Sequence, residues 1–391
     1  MKIELQLIGI VAAALVAAFL VALVATPVVK SLAQRVGAVD VPKDARRMHN
    51  HPIPRMGGLA IFLGFLLSVL LFVELTGQIR GMLLGAVIIV VLGIFDDIYA
   101  LSAKLKLVVQ IVAALVAAFS GNVIQTFSNP NIFSADPYWN LGWLSIPATV
   151  IWIVAITNAV NLIDGLDGLA CGVSTISSMT LLVISLLVAD APVAILMAAL
   201  AGGCLGFLPY NLNPAKIFMG DTGSTFLGYI LAVVSIQGLF KFYTIISFAV
   251  PFLMLGLPIF DTCFAFIRRI AHGQSPMQAD RSHVHHRLID MGFNQKQAVA
   301  VLYVISAILG LSAVVLTTTN VVRAMVVLLA LCVAGGMAAK LYLDRMNHQD
   351  QDNPPPPSQG RTGAKPRKLR NPPSDVAGSD YFFGEEERSD K

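Results

Sequence analysis

Ile146-Pro-Ala-Thr-Val-Ile-Trp-Ile-Val-Ala-Ile156-Thr-Asn158-Ala-Val-Asn161-Leu-Ile-Asp164-Gly165-Leu-Asp167-Gly168 decides how this chain is read. Its first half is an apolar run. Its second half sets two amides and two carboxylates at every third position. Polar groups at the mouth of a membrane segment are costly unless something polar or charged meets them. Steps of three residues drift by about 60° each around a helix. Asn158, Asn161 and Asp164 can therefore share a broad face, while Gly165 and Gly168 break the helix and turn Asp167 away. The rest of the chain reads as a scaffold that brings other charged loops to this bend.

The scaffold is a membrane one. The 391 residues are 56% hydrophobic and 13% charged, against about 25% charged in a soluble domain. Mean hydropathy is +0.74. Apolar runs near the length of a membrane span recur along most of the chain, which excludes a soluble protein. The fold expected is an all-α polytopic membrane protein of about eleven transmembrane helices. They lie near 7–29, 57–76, 81–95, 107–127, 143–162, 169–189, 192–208, 222–239, 244–267, 297–317 and 323–343. The first reads as a span and not as a cleaved signal peptide, because its apolar stretch is long enough to cross and lacks a convincing cleavage site. Residues 1–343 form the membrane domain. The stretch 344–391 is Pro-, Lys- and Glu-rich, cannot build a core, and is expected to be a disordered tail. Cys171, Cys204, Cys263 and Cys332 are scattered singly in apolar runs, so they signal neither a disulfide framework nor a zinc site.

Charge gives the orientation. Alternate loops place Lys30, Arg35, Lys43, Arg46, Arg47, Arg55, Lys104, Lys106, Lys216, Arg268, Arg269, Arg281 and Arg287 on one side. The other side receives Lys2, Arg80, Lys241 and Arg323. The rich side is expected to be cytoplasmic, with the N-terminus outside and the C-terminus inside. On the outer side, the loop near 128–142 combines turn residues with an interfacial aromatic belt of Tyr138, Trp139 and Trp143.

The chemistry gathers on the basic side. The loop from Asp40 to Gly58 carries His49, His51, three prolines and a Gly pair, and its cations in a fixed frame suit a phosphate. Asp96-Asp97 ends the third segment. Tandem carboxylates repel, and Lys104 and Lys106 follow within ten residues to neutralise them or to hold a phosphate. Pro209 to Thr225 contains Asn211 and the turn Gly220-Asp221-Thr-Gly-Ser224, which feeds a helix start. Asp221 could simply cap that helix. The same place offers free N–H groups to phosphate, and Asp221 and the amide oxygen of Asn161 are hard donors of the kind Mg²⁺ prefers. In Arg281-Ser-His283-Val-His285-His286-Arg287, three His could bind zinc. With no thiol beside them and Arg269, Arg281 and Arg287 near, donation to a diphosphate is the better reading. Carboxylates, amides, imidazoles and cations on one side suit Mg²⁺-assisted phosphoryl transfer, with one substrate a lipid. The rival of another class is a transporter for an anionic lipid. Its polar residues would line a path through the bilayer, whereas here they gather at one face.

At these residues the chain resembles the polyprenyl-phosphate N-acetylhexosamine-1-phosphate transferases. The resemblance covers about 40–300 and rests on five ordered motifs: Arg55-Met-Gly-Gly58, Asp96-Asp97, Asn158 to Gly168, Phe218 to Ser224, and His283-Val-His285-His286. The His run, split by Val284, is similar to the GlcNAc-1-phosphate branch and unlike the peptidoglycan branch, which has three consecutive His. The resemblance implies transfer of GlcNAc-1-phosphate from UDP-GlcNAc to undecaprenyl phosphate with release of UMP. UDP-GalNAc or UDP-MurNAc-pentapeptide are the alternative donors. It implies Mg²⁺ on Asn161 and Asp221, with Mn²⁺ as a substitute. It implies catalytic roles for Asp96, Asp97, Asp164 and His283, and substrate contacts at Lys106, Asn158, Asn211, Phe218, Arg269, His285 and His286. Phe218 would meet the uracil ring. The place expected is a bacterial inner membrane, with the site on its cytoplasmic face. A homodimer is open, no nucleic acid is expected, and the downstream polymer is not named. Direct attack by the lipid phosphate and a covalent aspartyl intermediate both remain open.

Overall fold

The computed structural model describes residues 5–41, 52–128, 138–238, 245–271 and 283–318. The expected eleventh segment, the C-terminal tail and the stretch holding Lys43 to His51 lie outside the described residues.

The first helix, α1 (Leu5–Val36), leads through strand β1 (Val39–Asp40) to strand β2 (Ile53–Pro54), its antiparallel partner. Helices α2 (Gly58–Phe72), α3 (Gly77–Tyr99) and α4 (Ala103–Phe119) follow. Strands β3 (Thr126–Ser128) and β4 (Tyr138–Asn140) pair antiparallel, with Phe127 opposite Trp139. Then come α5 (Ser145–Leu162), α6 (Leu169–Leu187), α7 (Ala191–Asn211), α8 (Gly220–Gly238), α9 (Ile245–Met254), α10 (Gly256–Ala271), α11 (Val284–Asp290) and α12 (Gln295–Thr318). The fold is therefore helical, with two small ribbons that hydropathy does not report. Six helices among the described residues are long and apolar enough to cross a membrane. The expected span 244–267 is not one helix. It divides at Leu255 into α9 and α10, with Pro251 on one side of the break and Pro258 on the other. A proline ring removes one ladder hydrogen bond and crowds the preceding turn.

Local signals set the helix ends. Thr76 caps α3 by accepting from Ile79 N–H, and Ser102 caps α4 by accepting from Leu105 N–H. Asp190 does the same for α7 through Val193 N–H. Packing then uses small residues, as expected where lipid supplies no hydrophobic drive between helices. Ala14, Ala18 and Ala22 are fully buried on one face of α1. On α7, one turn apart, Gly202 lies against the Leu15 carbonyl and Gly206 against the Phe19 carbonyl. A β-carbon at either position would collide with α1 backbone. Val16, Leu20 and Val24 of α1 remain exposed, as a lipid-facing surface requires.

α8 is the centre of the bundle. Nearly all its residues are buried, from Gly220 to Gly238. Helices α3 and α5 flank it. Tyr229 donates its hydroxyl to the Met82 carbonyl at 3.3 Å, and the Trp152 indole donates to Ser235 Oγ at 3.1 Å. The start of α8 is therefore a fixed reference point, and the polar chemistry is built around it.

Candidate active site

The C-terminal ends of α3, α5 and α7 meet the N-terminal ends of α4, α6 and α8. The loop before α8 is held first by backbone. Phe218 N–H donates to the Pro54 carbonyl at 2.8 Å, and Gly57 and Gly58 N–H donate to the Phe218 and Met219 carbonyls at 2.9 Å. These bonds bring Arg55 against the acidic cluster. Its Nε lies 3.4 Å from Asp97 Oδ1, and its terminal nitrogen lies 3.7 Å from Asp221 Oδ1.

The two tandem carboxylates have different surroundings. Asp97 has a fully buried side chain. It accepts from Asp221 N–H at 3.0 Å, Thr222 N–H at 3.1 Å and the Thr222 hydroxyl at 2.7 Å. It therefore neutralises the first turn of α8, where unpaired N–H groups and the helix dipole favour an anion. Asp96, 8% exposed at its side chain, accepts from Leu101 N–H at 2.8 Å and from Lys106 Nζ at 3.0 Å. Lys106 Nζ also donates to Asp221 Oδ2 at 2.9 Å. One ammonium thus bridges Asp96 and Asp221.

Asn161 joins them from the end of α5. Its Oδ1 accepts from the Ser224 hydroxyl at 2.6 Å, and Ser224 sits one turn along α8 from Asp221. The donors that converge here are oxygens of Asp96, Asp221 and Asn161, with neither thiol nor imidazole among them. Hard oxygen donors fit Mg²⁺. Among the described residues no three His, Cys, Asp or Glu side chains close into a cage.

The bend after α5 carries Asp164 half-buried. Burial, with the Asp221 charge adding to it, pushes the Asp164 carboxyl up to about 7. Asp167 points into structure. Its Oδ2 accepts from Asn213 Nδ2 at 2.9 Å and from Ala215 N–H at 3.0 Å. Asn158 is likewise engaged. Both hydrogens of its amide are used, one on Gln110 Oε1 at 2.7 Å and one on the Val154 carbonyl at 2.8 Å. In this structure Asn158 thus makes an interhelical hydrogen bond from α5 to α4. Asn211 donates to the Ile217 carbonyl at 3.1 Å, and its buried Oδ1 has no partner among the described residues. Phe218 is half-buried between the Pro54 and Gly57 backbone contacts.

The His run closes the bend from the other side. His285 is buried, and a β-carbon on Gly165 would collide with its ring nitrogen Nε2. The bend therefore requires glycine where the imidazole approaches. Burial, reinforced by the neighbouring His286, pushes the His285 imidazole down to about 4. The rings of His283 and His286 lie 5.8 Å and 4.3 Å from that of His285. Asp261 of α10 was hidden by hydropathy. It is buried, lies 3.0 Å from His283 Nδ1 and accepts from Val284 N–H at 2.8 Å. A carboxylate on Nδ1 orients the ring and selects its tautomer. A lone Asp inside an apolar run is the signal that could have found it. Arg269 is on the last turn of α10, eight residues beyond Asp261.

The chain is similar to known proteins over most of its length. The profile described as "Glycosyl transferase family 4" matches residues 79–239, which hold Asp96, Asp97, Lys106, Asn161, Asp164 and Asp221. A protein of Bacillus subtilis (strain 168) described as "Probable undecaprenyl-phosphate N-acetylglucosaminyl 1-phosphate transferase" is 44% identical over 79% of this chain and 85% of its own. The "Decaprenyl-phosphate N-acetylglucosaminephosphotransferase" of Mycolicibacterium smegmatis is 34% identical over 77% of this chain and 79% of its own. The "Undecaprenyl-phosphate alpha-N-acetylglucosaminyl 1-phosphate transferase" of Thermotoga maritima is 31% identical over 67% and 76%. With its motifs on a multi-pass helical scaffold, this chain belongs to glycosyl transferase family 4, within the branch of polyprenyl-phosphate GlcNAc-1-phosphate transferases.

Proposed function

We propose that this chain transfers GlcNAc-1-phosphate from UDP-GlcNAc to undecaprenyl phosphate and releases UMP. The observation that carries the reading is the bridge Asp96–Lys106–Asp221 beside Asn161, at the start of a buried helix. The names of the relatives supply the substrate class. The asymmetry of Lys and Arg supports a site on the cytoplasmic face, and the bacterial relatives support a cell membrane as its place. The product would be undecaprenyl-diphospho-GlcNAc, a first lipid-linked intermediate for an envelope polymer.

Mg²⁺ would be held by Asp221 and Asn161 and would supply charge neutralisation to the diphosphate. The chain's own groups do the rest. Arg55 and Lys106 hold phosphate oxygens. Asp96 takes the proton from the lipid phosphate or orients it. The lipid oxygen then attacks the β-phosphorus of UDP-GlcNAc, the bridging P–O bond breaks, and UMP leaves with that oxygen. Asp97 is the less suitable base, because its oxygens already accept from three donors on α8 and face Arg55. Its role is to hold the first turn of α8, and so Asp221, in place. Asp261 orients His283 toward the diphosphate side of the site.

The test is UMP release by the purified protein with undecaprenyl phosphate and Mg²⁺, run with UDP-GlcNAc, UDP-GalNAc and UDP-MurNAc-pentapeptide in parallel. Release from UDP-GlcNAc alone is expected. Release from another donor alone would move the substrate assignment, and no release from any would overturn the reading.

A further inference from the structure

Asp167, which faces away from the acidic cluster, is the centre of a second polar knot. Its Oδ2 takes the Asn213 amide at 2.9 Å and the Ala215 N–H at 3.0 Å. The Asn213 amide also donates to Gln295 Oε1 at 2.7 Å, at the first residue of α12. Two turns further along α12, the Tyr303 hydroxyl donates to the Gly168 carbonyl at 2.6 Å. One helix therefore grips two loops. Gly168 and Asp167 are the far end of the bend whose near end carries Asn161 and Asp164. Asn213 and Ala215 lie in the loop whose far end carries Phe218 and Asp221.

A carboxylate with two N–H donors and a short hydroxyl–carbonyl bond are strong, directional links. They connect segments that have little regular structure of their own. The bend between α5 and α6 spans six residues, and the loop between α7 and α8 spans eight. Without an external brace such loops would sample several separations. A misplacement of about 1 Å at reacting groups can cost on the order of 100-fold in rate.

We propose that Asp167, Asn213, Gln295 and Tyr303 form a brace through which α12 sets the spacing between the Asn161–Gly168 bend and the 211–219 loop. Gln295 and Tyr303 are then positioning residues for the transfer reaction, acting through the loops they hold. Both lie outside the stretch matched by the family profile. The proposal rests on the transferase reading for its kinetic arm only.

The test uses the full chain in detergent micelles, with Gln295→Ala, Tyr303→Phe, the conservative Gln295→Glu, and Ser306→Ala as a control on the same helix. Hydrogen–deuterium exchange over 161–169 and 211–219 is read beside kcat, KM and the melting temperature. Gln295→Ala and Tyr303→Phe are expected to speed exchange in both loops at least threefold and to lower kcat about 5–20-fold. Melting should stay within a few degrees of the unaltered protein. Gln295→Glu keeps an acceptor for Asn213 and should restore kcat to within about twofold. Unchanged exchange in both loops would overturn the brace. So would a kcat loss that follows melting temperature and is not restored by Gln295→Glu. Absence of turnover in the unaltered protein would fail the transferase reading instead, and the exchange result would still decide the brace.

Discussion

The Asp97 carboxylate accepts the backbone N–H of Asp221 at 3.0 Å. A carboxylate at the end of α3 thus becomes the anchor for a carboxylate at the start of α8. The tandem pair divides its work on this account: Asp96 faces Lys106 and the substrate side, and Asp97 faces backbone.

Substitution should separate the two. Asp97→Ala leaves two N–H groups and a hydroxyl of the first turn of α8 without their acceptor, which costs about 1–3 kcal/mol for a buried donor. A drop of several degrees in melting temperature is expected, together with lost activity. Asp96→Asn should melt within about two degrees of the unaltered protein, because Lys106 keeps Asp221, yet lose at least 100-fold in kcat. Equal melting losses in the two variants would contradict the division.

Isotope exchange addresses the route. Direct attack by the lipid phosphate requires both substrates together. Labelled UMP should therefore enter UDP-GlcNAc only when undecaprenyl phosphate or its product is present. Exchange without any lipid would establish a covalent aspartyl intermediate and contradict direct attack.

Gly165 should be intolerant of any side chain. In Gly165→Ala the new methyl meets His285 Nε2, and either the imidazole or the bend must move. At least a tenfold loss of kcat is expected. The double variant Gly165→Ala/His285→Ala should exchange faster in the bend than Gly165→Ala alone, because the imidazole no longer packs there. Full activity in Gly165→Ala would show that the bend has slack.

His285 makes stability depend on pH. Its folded pKa, about 4, lies below the unfolded value near 6.5. The unfolded chain therefore binds more protons between those values, and stability falls as pH falls. The contribution is complete above about pH 6.5 and lost as pH drops toward 4. The raised Asp164 carboxyl acts in the opposite sense over the same range and is common to both proteins, so His285 is read by difference: from pH 7 to pH 5 the unaltered protein should lose melting temperature relative to His285→Gln. Parallel slopes would mean that His285 is not the titrating group.

Much of the fold was legible because membrane burial leaves a coarse signature. Ten of the eleven expected segments coincide with helix over most of their described residues, but the fourth, expected to reach 127, ends as helix at Phe119 and gives way to β3. The ninth is broken in two at Leu255, and six described helices meet the length and hydropathy of a span. What hydropathy missed is local. The break between Pro251 and Pro258 depends on backbone hydrogen bonds, and the two ribbons are too short to show a period. In the site, polar spacing marked Asn158, Asn161, Asp164 and Asp167 as costly but gave no partner to any of them. Asn158 meets Gln110, Asp167 meets Asn213, and Asn161 meets Ser224. Asp261 leaves little trace in the sequence, because a single carboxylate barely alters the hydropathy of an apolar run.

The most direct measurement is product formation in liposomes that contain the purified protein, undecaprenyl phosphate, Mg²⁺ and UDP-[¹⁴C]GlcNAc. The account predicts labelled undecaprenyl-diphospho-GlcNAc and one equivalent of UMP, with both reduced at least 100-fold in Asp221→Ala. No labelled lipid from the unaltered protein, or undiminished product from Asp221→Ala, would contradict it.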